Sequence, residues 1–244
     1  MKPIVVVQHE PSVPPGSIGA ALETSGIEHS VLEAWRAPAW PDVADLGGLV
    51  VLGGTMNVDQ LDEHPFLRSS RRLMSGALDR ELPVLGVCLG SQMMARVLGG
   101  DVFRAEPRNA FFSSLEVPAE ASDDPLIAPF ASGIPVLQFH EDTFTLPPGA
   151  APLARSASSG LLQAFRFGRN AYAVQFHFEV DGGILEGWCR NLGDTALRDD
   201  WGISTEELLA AGARHLDVQR RAGLELCDRF LELVAEPRGV ASGR

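Results

Sequence analysis

Two short segments hold residues whose types and spacing could do chemistry together: Gly86-Val87-Cys88-Leu89-Gly90-Ser91-Gln92 and Gln175-Phe176-His177-Phe178-Glu179. A cysteine thiolate is a strong nucleophile, an imidazole can move a proton to and from it, and a carboxylate can fix the imidazole's tautomer and orientation. Cys88, His177 and Glu179 supply these groups in the chain order nucleophile, base, acid.

The flanking residues say how such groups would be positioned. Pro83-Val84-Leu85 reads as a strand covered on both faces, and Met93 to Leu98 suits a helix. Cys88 therefore falls on a strand-to-helix turn between Gly86 and Gly90, the spacing of a nucleophile elbow, where a Cβ beside the nucleophile would collide with the bent backbone. A helix N-terminus and a neighbouring imidazolium both favour a thiolate. Tyr172 to Phe176 reads as extended, and residues two apart in an extended chain project to one side, so His177 and Glu179 point together. Hydrolases of the α/β-hydrolase fold run nucleophile, acid, histidine, and the order here excludes them.

These segments resemble the two signatures of class I glutamine amidotransferases, Gly-x-Cys-x-Gly-x-Gln and His-x-Glu, in the free-standing group related to the amidotransferase domain of GMP synthase. The resemblance runs from Ile4 to about Glu186. It implies an open, mostly parallel α/β sheet flanked by helices, flavodoxin-like, with a small antiparallel insertion and C-terminal helices. It implies catalysis by Cys88, His177 and Glu179, with an oxyanion hole from the backbone N–H groups of Gly54 and Leu89. Leu49 to Thr55 resembles the family's strand and Gly-Gly-Pro loop, and Leu137 to Asp142 resembles the strand end carrying His-Gly-Asp. By that resemblance Gly53, Gln92, Phe139, Glu141 and Asp142 are substrate-binding candidates. Thr55 stands where the family has proline, Phe178 replaces the proline of His-Pro-Glu, and Glu141 replaces glycine. An added carboxylate at Glu141 would repel a free α-carboxylate or attract a cationic group.

The activity implied is attack of Cys88 on the side-chain amide of glutamine or a related γ-glutamyl amide, giving a γ-glutamyl thioester and ammonia or amine. Three readings stay open: a glutaminase subunit serving a separate synthase, a stand-alone γ-glutamyl hydrolase, and a non-catalytic relative that binds without reacting.

The wider chain is compatible with this picture. Its 244 residues, 45% of them hydrophobic, suffice for a full core. Apolar runs alternate with amphipathic stretches in a βα rhythm: a strand at Ile4–Val7, a helix at 17–26, a strand at 50–54, and a helix opened by Pro65 with Leu67, Met74, Ala77 and Leu78 on one face. Phe111 to Arg169 reads as the antiparallel insertion beside the main sheet. The expected organisation is a family domain over 1–190, a helical extension packed on it over 191–236, and a disordered tail over 237–244. Ser204-Thr205-Glu206-Glu207 reads as a capping box, followed by Cys227, Phe230, Leu231 and Val234 at helical spacing.

A net charge of −12 without a Lys/Arg cluster argues against nucleic acid. No apolar run reaches the roughly 18 residues of a membrane span, and no signal-peptide pattern opens the chain. Three cysteines in dissimilar settings form neither a disulfide framework nor a metal-ligand spacing, so no cofactor or metal and a reducing cytoplasm are expected, with Cys189 and Cys227 as packing residues. His9, His29, His64 and His215 read as surface or loop residues, and His140 as part of the substrate loop.

Overall fold

The computed structural model describes residues 2–36 and 39–236. The chain runs β1 (Ile4–Gln8), α1 (Gly16–Ser25), β2 (His29–Glu33), β3 (Gly48–Val51), α2 (Phe66–Asp79), β4 (Val84–Val87) and α3 (Leu89–Val97). It continues through β5 (Val102–Ser113), β6 (Leu115–Glu116), β7 (Val136–Phe144), β8 (Ala150–Ser156), β9 (Leu162–Phe167) and β10 (Ala171–Val174). Three helices finish it: α4 (Gly182–Leu192), α5 (Asp194–Trp201) and α6 (Thr205–Ala235).

Eight strands form one sheet in the order β2-β1-β3-β4-β10-β9-β8-β6. The pairs from β2 to β10 are parallel, and those from β10 to β6 antiparallel. Apart from the edge strand β2, the parallel strands are short apolar runs buried on both faces, which is why their side chains alternate between two cores. Val6, Val50, Leu85 and Tyr172 pack with Ile18 and Leu22 of α1 and with Leu226, Phe230 and Val234 of α6. Val7, Val51, Val84 and Ala173 pack with Leu67, Met74 and Ala77 of α2 and with Met93 of α3. The result is a three-layer α/β arrangement.

The expected small antiparallel sheet is present beside the main one, but part of the stretch assigned to it lies elsewhere. Only β5 and β7 form a separate two-stranded sheet, whereas β8, β9 and β6 extend the main sheet through β10. Strand alternation reports which face is buried and carries no information on which edge a hairpin joins.

The capping box at Ser204 forms as expected, with the Ser204 and Glu207 side chains exchanging backbone bonds, and opens a single 31-residue helix. Its apolar stripe, Ala222, Leu226, Cys227, Phe230 and Val234 among others, joins the core shared by α1 and the sheet. Cys189 and Cys227 are buried and unpaired. The expectation of a disordered tail over 237–244 lies outside the described residues. Among the described residues, no helix is long and apolar enough to cross a membrane.

Candidate active site

β4 and α3 meet at Cys88, whose φ of 51° is rare for a residue with a side chain. The surroundings hold it there. Its N–H donates to the Val174 carbonyl of β10 at 2.9 Å, and its own carbonyl accepts from Gln92 N at 3.0 Å and Ser91 Oγ at 2.6 Å. Glycine on either side is a packing requirement: a Cβ on Gly90 would lie 2.0 Å from the Val51 carbonyl oxygen, and one on Gly86 would lie 2.6 Å from that of Gly90. The sulfur is thus presented at the first turn of α3, beside helix N–H groups that lack intrahelical acceptors.

His177 lies just past β10, and its N–H donates to the Leu137 carbonyl of β7 at 2.8 Å. Its Nδ1 donates to Glu179 Oε1 at 2.6 Å, and the Cys88 side chain is close enough to the ring to bear on its charge. Both residues are nearly sealed, at 3% and 1% exposure. Burial alone would lower the His177 pKa; the charges of Glu179 and Cys88 outweigh it and raise it to about 10. Glu179 Oε2 has no hydrogen-bond partner among the described residues, which leaves its charge directed at the imidazole.

Three helices fix this loop. Ser17 N–H, at the start of α1, donates to the Glu179 carbonyl at 2.9 Å. Phe178 is fully buried between Phe176 and Gly223 of α6. Packing therefore supplies the stiffness that a proline ring would give. Asp181 caps α4, accepting from Ile184 N–H at 2.9 Å. From α4, the Trp188 ring meets His177 edge-on at 4.9 Å.

The remaining candidates gather around one cavity of about 730 Å³ lined by Gly54, Cys88, Gln92, Phe139, Glu141, Asp142 and His177. Leu89 is fully buried at the head of α3, and its side chain lies against Gly54. Gly53 sits behind the cysteine: a Cβ there would be 3.2 Å from His177 Cε1 and 3.5 Å from Cys88 Cβ. Gln92 is buried, and its Nε2 donates to the Asp142 carbonyl at 3.1 Å and to Gln175 Oε1 at 3.2 Å. The Asp142 carboxylate accepts from Asn57 Nδ2 at 2.6 Å.

Glu141 does not stand alone in the cavity wall. It is paired with Arg104 and, at 3.1 Å, with Arg108, so its charge is balanced within the wall. His9 is misplaced by the sequence reading. It is buried at 1% exposure, bonded to Leu52 O and, at 2.9 Å, to Ser70 Oγ, and burial lowers its pKa to about 4. A residue that ends a central strand points under the loops above the sheet, and the single-residue reading of His9 ignored that position. His140 is buried too; desolvation and then the charge of His177 lower its pKa to about 3, and its Nδ1 donates to the Asp142 carbonyl at 3.0 Å.

Several residues that line the cavity or support its walls were not legible in the sequence. Glu10 accepts from Thr55 N at 2.6 Å and Thr55 Oγ1 at 3.1 Å, a bond that proline at Thr55 could not donate. Its position after β1, at the carboxyl edge of the parallel strands, was the available signal. Trp188 and Trp201 line the cavity from α4 and α5, where helical aromatics read as core. Gln219 of α6 accepts from Leu137 N–H at 2.6 Å, and so steadies the strand that holds His177.

The fold and this arrangement define an α/β protein with a cysteine, histidine and carboxylate at the carboxyl ends of its central strands. The chain belongs to the class I glutamine amidotransferase family, whose profile, Glutamine amidotransferase class-I, matches residues 16–186. It is 34% identical over 142 residues to the glutamine-hydrolyzing GMP synthase of Marinobacter nauticus, covering 54% of this chain and 25% of that one. It is 33% identical over 141 residues to one subunit of the glutamine-hydrolyzing GMP synthase of Natronomonas pharaonis, covering 57% of this chain and 70% of the relative. The chain thus spans a quarter of the first relative and most of the second. Among solved structures, a glutamine amidotransferase of Thermotoga maritima superposes with a TM-score of 0.84 at 25% identity, covering 96% of this chain and 99% of that one. One from Methylobacillus flagellatus, at 22% identity, shares the fold with a TM-score of 0.86, covering 100% and 99%.

Proposed function

We propose that this protein hydrolyses γ-glutamyl amides, glutamine included, through a covalent thioester on Cys88. The observation that carries the reading is the buried 2.6 Å bond between His177 and Glu179, beside Cys88 at a helix N-terminus. The Cys88 sulfur attacks the γ-carbonyl carbon, and the oxyanion is met by the N–H groups of Gly54 and Leu89. As the C–N bond breaks, His177 gives its proton to the departing nitrogen. His177 then takes a proton from water, which attacks the thioester and releases glutamate, while Glu179 holds the ring throughout. Gln92 and Asp142, joined by a hydrogen bond, Gly53 behind Cys88 and the Arg-paired Glu141 in the cavity wall shape the glutamyl site, with Phe139 bounding it on the side where the nitrogen departs.

The same reading covers 1–190 and 191–236 as one domain, because α6 backs the His177 loop. It places the protein in the cytoplasm, where three unpaired cysteines stay reduced. Similarity to one subunit of a GMP synthase favours a second fate for the product: ammonia passed to a separate synthase protein. The test is glutamate release by wild type beside Cys88→Ala with glutamine and N-substituted γ-glutamyl amides. Turnover abolished by the substitution supports the mechanism, and turnover that survives it contradicts the mechanism. Cys88-dependent glutamine turnover that rises when a synthase protein is added supports ammonia transfer.

A further inference from the structure

The side of the cavity next to His177 is aromatic, and nothing in ammonia release calls for it. Trp188 meets the His177 ring edge-on at 4.9 Å. Phe139 stacks on Trp188 at 5.4 Å and on Trp201 at 4.7 Å, with interplanar angles of 14° and 12°. Arg108 lies over the outer face of Trp201, 5.7 Å from its centroid. A row of rings therefore leads from the imidazole outwards along β7, α4 and α5. Phe139 and Trp201 are only half-buried, and all three rings face the cavity.

His177 protonates the departing nitrogen, so whatever that nitrogen carries leaves on the His177 side. Gln92, Asn57 and Asp142 are hydrogen-bonded to one another elsewhere in the cavity. At about 730 Å³ the cavity lies within the roughly 300–1,000 Å³ range that encloses drug-sized ligands, and glutamine alone fills a small part of it. Charge narrows the class of leaving group. Arg108 is paired with Glu141 at 3.1 Å and Asp200 at 3.4 Å, and Arg104 with Glu141, so the charge of each guanidinium is already countered by a carboxylate. Glu63 adds negative charge to the lining, whereas Asp59 is paired with Arg71 at 3.0 Å and Arg96 at 2.8 Å.

We infer that the row Trp188, Phe139 and Trp201 is a leaving-group subsite, and that the preferred substrates are γ-glutamyl conjugates of arylalkyl amines without an acidic group. The aromatic amine packs against the cavity-facing edges of the row while its nitrogen lies at His177; attack by Cys88 forms the S–C bond, breaks the C–N bond and sends the His177 proton to the amine. This inference rests on the proposed thioester mechanism and assigns its substrate class.

The experiment compares kcat/KM of wild type for glutamine, γ-glutamylethylamide, γ-glutamylphenethylamide and γ-glutamylphenylalanine, with Cys88→Ala as the blank. The phenethylamide is expected to exceed both glutamine and the ethylamide by roughly tenfold or more, the scale on which apolar contacts discriminate substrates. γ-Glutamylphenylalanine, which adds a carboxylate to the same ring, is expected to fall below the phenethylamide. Trp201→Ala should lower the phenethylamide-to-ethylamide ratio by roughly tenfold, and Trp201→Phe should keep most of it. Equal loss on both amides in Trp201→Ala would show a structural role and overturn the subsite. Cys88-dependent turnover with glutamine as the best substrate would overturn this inference alone. Absence of Cys88-dependent turnover on every amide would overturn the proposed mechanism, and the inference with it.

Discussion

At the scale of single residues, the account turns on how a buried imidazole keeps its proton. Burial opposes the charge on His177, and only the facing Glu179 and Cys88 raise its pKa to about 10. Replacing Glu179 with glutamine removes the larger favourable charge while keeping the shape. Glu179→Gln is therefore expected to lower kcat/KM by about a hundredfold or more, and to move the alkaline limb of the pH profile to lower pH, since His177 then loses its proton earlier. A pH-rate profile of wild type and variant checks this; an unmoved limb would show that His177 is not the group titrating. The identities of Cys88, His177 and Glu179 were legible because each follows a recognisable strand at a fixed spacing. The pairing of Glu141 was not legible, because its partners Arg104 and Arg108 are distant in sequence and no spacing rule joins them to it.

At the scale of elements, the site is held by backbone approaches and by helices remote from the chemistry. A Cβ on Gly90 meets the Val51 carbonyl oxygen at 2.0 Å, so Gly90→Ala must push α3 from β3 and is expected to cost about 3 kcal/mol of stability in chemical denaturation. α6 acts through Gln219, which accepts from Leu137 N–H, while Leu137 O accepts from His177 N–H. Gln219→Leu leaves a buried donor unpaired and should cost about 1–3 kcal/mol. Its kcat should fall further than that of a distant variant of equal stability, because the strand beside His177 loosens. The capping box and apolar stripe of α6 were readable as local periodic signals. The task of Gln219 was not, because one polar residue on a long amphipathic helix gives no sign of the strand it faces. The joining of β8 and β9 to the main sheet was hidden for the same reason: pairing partners are set by tertiary packing.

At the scale of the whole molecule, the buried histidines make stability depend on pH in two windows. His9 and His140 are held neutral, at about 4 and about 3, chiefly by desolvation. Below about pH 6.5 the unfolded chain takes up protons on both that the folded chain refuses, so stability falls as pH drops from about 6.5 towards 4, by up to about 1.4 kcal/mol per pH unit for each group. His177 has the opposite sign. Its folded pKa is raised, so its contribution is fully present below about pH 6.5 and is lost as pH rises towards 10. Denaturant midpoints measured from pH 4 to 7 should show a shallower slope in His9→Gln than in wild type; parallel slopes would mean that His9 is protonated in the folded state. The three-layer architecture was legible from the βα rhythm, since fully buried parallel strands are short apolar runs in any such sheet. Burial of His9 was not, because it depends on the Gly53-Gly54-Thr55 loop closing over the end of β1.

The central claim is that Cys88 becomes covalently acylated during turnover. The most direct measurement is intact-protein and peptide mass spectrometry of acid-quenched reactions with a γ-glutamyl amide. The account predicts a γ-glutamyl adduct on the peptide containing Cys88, absent from Cys189 and Cys227 and absent in Cys88→Ala. Glutamate release that continues in Cys88→Ala, with no adduct on wild type, would contradict it.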